Sequence, residues 1–414
     1  MKIAIVTGTF PMMDETFILN HVTGLIEDGH EVAVFSNGLP GGQRHPDFDR
    51  FEVAKKMFHP DIPRLWKRWA QMPWMLLRMS PRRSLRCLNP VRYGTGVLSL
   101  KALYAVRGIL EQRFDLIHCH FGQNGAAMLP LKELARIPMV TSFHGSDVRA
   151  FARFSAAAYK ALFRLGDAFV VNSRYTGGCL EAMGCAPGKI TEIPAMSRGS
   201  ATPRSCPIFS SDTVRLLTVA RLDDAKGIQH GLHAVRRLAA RGYRVRYTII
   251  GDGPHRAALE SLAKELNIEH LVEFAGWKNQ DDVFREYGRN DIFVLPSVPG
   301  RWGRAEAQGL VIQEAQLHGL PVVGSRIGGV PQGVDEGKAG LLFEPGNSAD
   351  LGEQVSRLID DRVFAERIAA AGQEYCLAHY SKPALIARMV ALYRLLVTDR
   401  KPGNKAAALM HPCL

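Results

Sequence analysis

The sequence predicts an α/β fold of two tandem Rossmann-like domains, and three observations predict it. Short apolar runs rich in β-branched residues alternate with helical patterns along the whole chain, which is the signature of parallel sheets joined by crossover helices. A polar Pro/Gly/Ser run at 196–205 divides the series into two halves of similar rhythm. The length of 414 residues, with 46% hydrophobic and 22% charged, supplies core for two domains of roughly 200 residues each.

Taken in order, strands are expected at 2–6, 31–35, 115–120, 139–143, 168–172 and 189–193 in the first half. In the second half they are expected at 215–219, 246–250, 272–275, 291–295, 321–324 and 340–343, with helices between. Strand one leads into Gly8-Thr9-Phe10-Pro11, which is not a G-x-G-x-x-G loop and argues against a dinucleotide fold. A helix is expected at 309–319, opening just after Gly309. Asp281-Asp282 suits the start of another, where acids favour the helix dipole. Beyond Phe343 the pattern is helical to about Val397, with breaks near Gly346, His379 and Pro383. The expected domains are 1–205 and 206–380, then a helix at 381–398 and a flexible tail at 399–414.

Seven scattered cysteines without a C-x-x-C pair suit reduced thiols in a cytosol better than a disulfide framework or zinc site. No apolar run is long enough to span a bilayer, and the start is too short for a signal peptide. Net charge is +12, and the excess lies early: residues 1–200 carry 25 basic against 16 acidic side chains, residues 201–414 carry 27 against 24. No acid falls between Asp61 and Glu111, where cations from Arg64 to Arg107 are interleaved with Trp66, Trp69 and Trp74. Segment 64–107 therefore reads as an anionic-membrane contact, against a solvated helix hairpin with a buried Trp face. Nucleic acid is not expected as a partner, because no nucleic-acid module appears.

Glu306 and Glu314 stand eight residues apart around the expected helix start at Gly309, Leu310 and Val311. Unpaired N–H groups there hold anions, and carboxylates on either side accept hydrogen bonds from hydroxyls. Spacing alone also fits a capped surface helix with two solvated acids. Arg221 and Lys226 follow a strand of the second half, so they emerge at the carboxyl edge where open α/β sheets bind ligands. Gly251-Asp252-Gly253-Pro254 is a second strand-to-helix turn, and Trp277-Lys278 follows the next strand, where Trp277 is as readily a core residue as a functional one. His118-Cys119-His120 ends a strand, and alternation points Cys119 away from the two histidines, so three metal ligands do not converge. Asp47-Phe48-Asp49 is formally D-x-D but belongs to no strand end.

Together the run Glu306 to Ala315, the Arg221-to-Gly227 segment and the turn at Gly324 to Pro331 resemble the retaining family-4 glycosyltransferases of the GT-B fold. Gly8-Thr9-Phe10-Pro11 with Glu15-Thr16-Phe17-Ile18 resembles a subgroup working in bacterial exopolysaccharide and lipopolysaccharide assembly. The sequence departs from the family at Ala307, where Gly is usual, and at Pro194-Ala195-Met196-Ser197, which replaces a Gly-hydrophobic-Asp loop.

The resemblance implies two domains facing a central cleft, with the final helix crossing back to the first. It implies a nucleotide-diphosphate sugar donor, UDP- or GDP-linked, no other cofactor, no metal, and a glycan or polyprenyl-diphosphate-linked acceptor. Arg221 and Lys226 would stabilise the leaving diphosphate, Glu306 would orient the sugar, and His144 would line the cleft. Gly8, Gly253, Trp277, Lys278, Gly309, Leu310, Val311 and Glu314 would bind the donor, Glu314 at the ribose. An enzyme of this kind is expected in the cytoplasm, peripheral on the inner membrane face. The alternatives are a GT-B sugar-nucleotide epimerase or phosphorylase, or a non-catalytic sugar-nucleotide-binding protein.

Overall fold

A computed structural model describes residues 1–12, 15–38, 45–58, 64–78, 89–93, 109, 112–150, 155–197, 204, 207–303 and 305–398. The tail at 399–414, most of the acid-free segment beyond Arg78 and parts of the 196–205 run lie outside them. The chain divides into two compact units. The first holds Met1–Val171, Gly177–Ile193 and the chain from Leu385; the second holds Asn172–Thr176 and Pro194–Ala384.

In the first unit seven strands form one parallel sheet: β1 Lys2–Val6, β2 Glu31–Phe35, β3 Met57–Phe58, β4 Leu116–His120, β5 Met139–Phe143, β6 Ala168–Val171 and β7 Ile190–Glu192. Their order is β3-β2-β1-β4-β5-β6-β7, so the winding direction reverses between β1 and β4. Five residues of β1 are apolar or stem-buried because helices cover both faces, which is why the run is continuous rather than alternating. Phe143, Tyr159, Phe163 and Phe169 pack edge-on or tilted in the core. Only β3 was not expected. Two residues carry no periodicity, and the strand exists because Met57 and Phe58 pair beside Val34 and Phe35.

The second unit holds six parallel strands: β8 Val214–Val219, β9 Val245–Ile250, β10 Val272–Gly276, β11 Ile292–Leu295, β12 Val322–Ser325 and β13 Leu341–Phe343. Their order is β10-β9-β8-β11-β12-β13, with the reversal between β8 and β11. Loops leaving those two neighbours flank the crevice in which open α/β sheets hold ligands. After Phe343 come the helices Ser348–Asp360, Arg362–Tyr380 and Lys382–Thr398. The break at Asp361 was not anticipated: its carboxylate accepts from Phe364 N at 2.8 Å and so starts the next helix.

Asp291, fully buried at the entry to β11, ties β8 to β11. Its carboxylate accepts from Phe209 N at 2.9 Å, Arg215 N at 2.8 Å, and Arg215 Nε and Nη2 at 3.1 and 3.0 Å. A buried charge is tolerable only with such saturation, and removing one partner strands the others. Asp291→Ala is expected to lower the stability of the second unit by roughly 3 kcal/mol in urea unfolding. A loss below about 1 kcal/mol, the size of one ordinary hydrogen bond, would contradict this role.

Candidate active site

Beyond β8 the chain runs through Ala220 to Arg221, whose side chain is exposed and makes no ion pair among the described residues. A single 3-10 turn, Asp224–Lys226, follows, capped by the Asp223 carboxylate on Ala225 N at 3.1 Å. That turn aims Lys226 at the loop after β11, where its ammonium forms an ion pair with Glu306. Ser297 Oγ donates to the same Glu306 oxygen at 3.3 Å. Lys226, Glu306 and Ser297 thus meet at the point where the sheet order reverses.

Backbone contacts hold the Glu306 loop. Gly329 N donates to Glu306 O at 2.9 Å. The preceding Gly328 has φ +58°, and a Cβ there would lie 2.0 Å from the same carbonyl, so only glycine lets the turn after β12 seat so closely. Ala307, where the family has glycine, is buried and lies outside the left-handed region, so alanine is unstrained there. The left-handed step falls two residues later, at Gly309 with φ +79°. The Leu310–Leu317 helix starts there, leaving the first N–H groups at Leu310 and Val311 without intrahelical acceptors.

Glu314 lies on that helix and accepts from Tyr287 Oη at 3.1 Å and Ser197 Oγ at 3.5 Å. Desolvation raises its pKa to about 7 against the relief those hydroxyls give. Gln308 pairs with Ala195 in both directions: Ala195 N donates to Oε1 at 2.8 Å, and Nε2 donates to Ala195 O at 3.2 Å. The divergent 194–197 segment is therefore docked on the paired-glutamate element through its backbone. Ser197, Tyr287, Ser297 and Gln308 were not singled out from sequence, because a lone Ser, Tyr or Gln carries no spacing signal.

The remaining residues expected on the donor side are more dispersed. Gly253 sits in a turn laced to the Arg221 loop, with Leu222 N donating to Asp252 O at 3.0 Å and His255 N to Leu222 O at 3.1 Å. Trp277 is 58% exposed and so is not a core residue. Lys278 is paired with Glu286 at 2.7 Å, not with either glutamate of the pair.

In the first unit Gly8 follows β1, and its carbonyl accepts from Asn37 N at 3.0 Å. His144 follows β5, its ring against Phe17 and Phe121 at centroid distances of 4.4 and 5.0 Å. Buried Asp147 fixes this loop, accepting from His144 N at 3.0 Å and Gly122 N at 2.9 Å. Burial lifts its pKa to about 6, opposed by those backbone donors.

Cys119 turns into the core, while His118 and His120 face the other way, as alternation requires. Two partners there were not foreseen. His21, from the Thr16–Glu27 helix, places Nδ1 3.1 Å from His120 Nε2. Tyr393, from the Lys382–Thr398 helix, places Oη 3.0 Å from His21 Nε2 and 2.6 Å from His118 Nδ1. Nitrogens of His21, His118 and His120 lie within 4.8 Å of one another, the one such three-residue group among the described residues. These nitrogens hydrogen-bond to one another, to Tyr393 and to neighbouring side chains. Burial pushes all four imidazoles, His144 included, well below their ordinary pKa, so they are neutral.

Glu314 makes stability depend on pH with a definite sign. A carboxyl that titrates near 7 when folded and at its ordinary 4.5 when unfolded keeps its proton only in the folded state between those values. Stability then falls as pH rises through that window. Glu314→Gln is expected to flatten the decline in melting temperature between them, and equal slopes in both proteins would refute the assignment.

The family model described as "Glycosyltransferase Family 4" matches residues 15–195, and that described as "Glycosyl transferases group 1" matches 208–375. The amylovoran biosynthesis glycosyltransferase AmsK of Erwinia amylovora is 32% identical, over 86% of this chain and 90% of its own. A protein of Escherichia coli K12 named as a colanic acid biosynthesis glycosyltransferase, WcaL, is 31% identical over 90% and 91%. Among solved structures, Anabaena Alr3699/HepE in complex with UDP superposes with a TM-score of 0.73 at 18% identity, over 95% of this chain and all of its own. With both halves matched, with relatives of this similarity along their length, and with two parallel Rossmann-like sheets, the chain belongs to the family-4 glycosyltransferases of the GT-B fold.

Proposed function

We propose that this glycosyltransferase moves a sugar from a nucleotide-diphosphate donor to a hydroxyl of a glycan or polyprenyl-diphosphate-linked acceptor, with retention at the anomeric carbon and without a metal. The observation that carries this reading is the Lys226, Glu306 and Ser297 cluster beside the helix start at Gly309. A diphosphate arriving there meets the Lys226 ammonium, the exposed Arg221 and the Leu310 and Val311 amides, which offset the charge that grows as the glycosidic bond breaks. Glu306, relieved of its cation, accepts from sugar hydroxyls, and Glu314 accepts from the ribose. Trp277 and Lys278 stand by the base, with Gly253 giving close backbone approach. The acceptor hydroxyl attacks from the face that the diphosphate leaves, and a phosphate oxygen takes its proton, so no protein nucleophile is required.

The names of the relatives support a role in surface polysaccharide synthesis. UDP and UDP-glucose in the HepE complexes support a UDP-linked donor. The cytoplasmic face of a membrane is the place we assign to the reaction. No helix among the described residues is long and apolar enough to cross a membrane. The Leu65–Arg78 helix instead exposes Leu65, Trp66 and Trp69, with Arg64 and Lys67 beside them, a composition suited to lying in an anionic interface.

Lys226→Ala is expected to lower turnover by roughly two to four powers of ten without unfolding the protein, as loss of a charge-stabilising donor does. The thermal shift given by UDP or GDP reads nucleotide binding in the same samples. Wild-type turnover in that variant would remove the assignment, and strong inhibition by EDTA would remove metal independence. Trp66→Ala with Trp69→Ala should weaken sedimentation with phosphatidylglycerol vesicles about tenfold or more, given the apolar area lost from the interface. Undiminished sedimentation would exclude this helix as the contact.

A further inference from the structure

We infer that Ser142, His118, Tyr393, His21 and His120 form a one-way chain of hydrogen bonds that keeps the proton of His144 on Nδ1, presenting that N–H to a sugar hydroxyl oxygen. The identity of that ligand rests on the glycosyltransferase reading proposed above; the chain itself does not. Its links are Ser142 Oγ to His118 Nε2 at 2.8 Å, His118 Nδ1 to Tyr393 Oη at 2.6 Å, and Tyr393 Oη to His21 Nε2 at 3.0 Å. They continue from His21 Nδ1 to His120 Nε2 at 3.1 Å and from His120 Nδ1 to His144 Nε2 at 3.0 Å. His144 Nδ1 is the terminus, buried and without a hydrogen-bond partner.

A neutral imidazole has one donor and one acceptor nitrogen, and a phenol has one proton. Five links in series therefore admit two patterns in which each interior member gives one bond and takes one, while a third, with Tyr393 accepting from both neighbours, leaves the buried phenol proton without an acceptor. Running outward, every donor points toward His144, and all four histidines carry the proton on Nδ1. Running inward, all four carry it on Nε2. Any other mixture sets two N–H groups or two lone pairs face to face inside the protein, and unmet polar groups there are costly.

Ser142 selects between the patterns. It is 2% exposed, and among the described residues the hydrogen-bond partner of its hydroxyl is His118 Nε2. Run inward, His118 donates to Ser142, and the serine proton is left without an acceptor in the core. Run outward, that proton goes to His118, and the one open donor is moved to His144 at the carboxyl edge of β5. A sugar oxygen accepting from His144 Nδ1 completes the set. Tyr393 is the indispensable link, because His118 and His21 make no direct hydrogen bond and the phenol bridges them. Ser142, His118, Tyr393, His21 and His120 are positioning residues in this scheme, since none touches substrate.

The test is two-bond proton–nitrogen NMR on full-length protein carrying nitrogen-15 histidine, near neutral pH, with signals assigned by single His→Gln variants. His21, His118, His120 and His144 are all expected as Nδ1–H tautomers in the wild type. In Tyr393→Phe, His144 is expected to shift toward the Nε2–H form, with kcat/KM falling about tenfold, the loss of roughly one hydrogen bond in the transition state. Ser142→Ala removes the source of direction with less disturbance, and should shift the same signal if Tyr393→Phe does not fold. An Nε2 proton on His144 in the wild type, unchanged tautomers in both variants, or stoichiometric zinc held by the three clustered histidines would each overturn the chain. The tautomers are read without any donor sugar. Failure of sugar transfer with intact Nδ1–H signals therefore counts against the enzymatic reading, and an Nε2 proton in an active enzyme counts against the chain.

Discussion

The chemistry proposed for Lys226 and Glu306 depends on strands β8 and β11 lying next to each other with a defined register. Lys226 comes from the loop after one and Glu306 from the loop after the other, so their side chains meet only because Ile292 pairs beside Leu216 and Phe293 beside Leu217. In a parallel sheet both strands end at the same edge, and a slip of one residue would turn every side chain to the opposite face. Asp291 sits under this junction with its carboxylate filled by donors from Phe209 and Arg215. Structural and chemical charges are thus stacked along one seam, the first deep in the sheet and the second at its rim.

The two glutamates of the pair are unequal in their surroundings. Glu306 faces an ammonium and a hydroxyl. Glu314 faces hydroxyls and sits away from compensating charge, so desolvation dominates. In the proposed reaction one carboxylate is thereby coupled to the entry of phosphate, while the other is a hydrogen-bonding group whose state follows pH. Equivalent residues eight positions apart acquire different roles because one precedes the helix and the other is packed into its first turns.

Much of the fold was legible in the sequence, because strands buried on both faces read as unbroken apolar runs and their helices as 3.6-residue patterns. All twelve expected strands are present, with ends displaced by a residue or so in either direction. What escaped notice has no local pattern: the two-residue β3 and the cap at Asp361. The site divides the same way. Lys226, Glu306 and Gly309 stand in spaced motifs, whereas Ser297 and Tyr287 are defined by what they touch. His21 and Tyr393, 372 positions apart, meet only through the return of the last helix, and no spacing rule reaches across such a distance.

The Gln308 amide offers Ala195 the same donor and acceptor that a neighbouring strand would. Such a clasp reads main chain and ignores the side chain of Ala195, so that position is free to change while the segment stays seated, whereas Ser197 is held by its own hydroxyl on Glu314. That freedom accounts for how a segment unlike the family's usual loop coexists with an otherwise well-kept donor edge. Divergence at Ala195 is an expected outcome of backbone recognition.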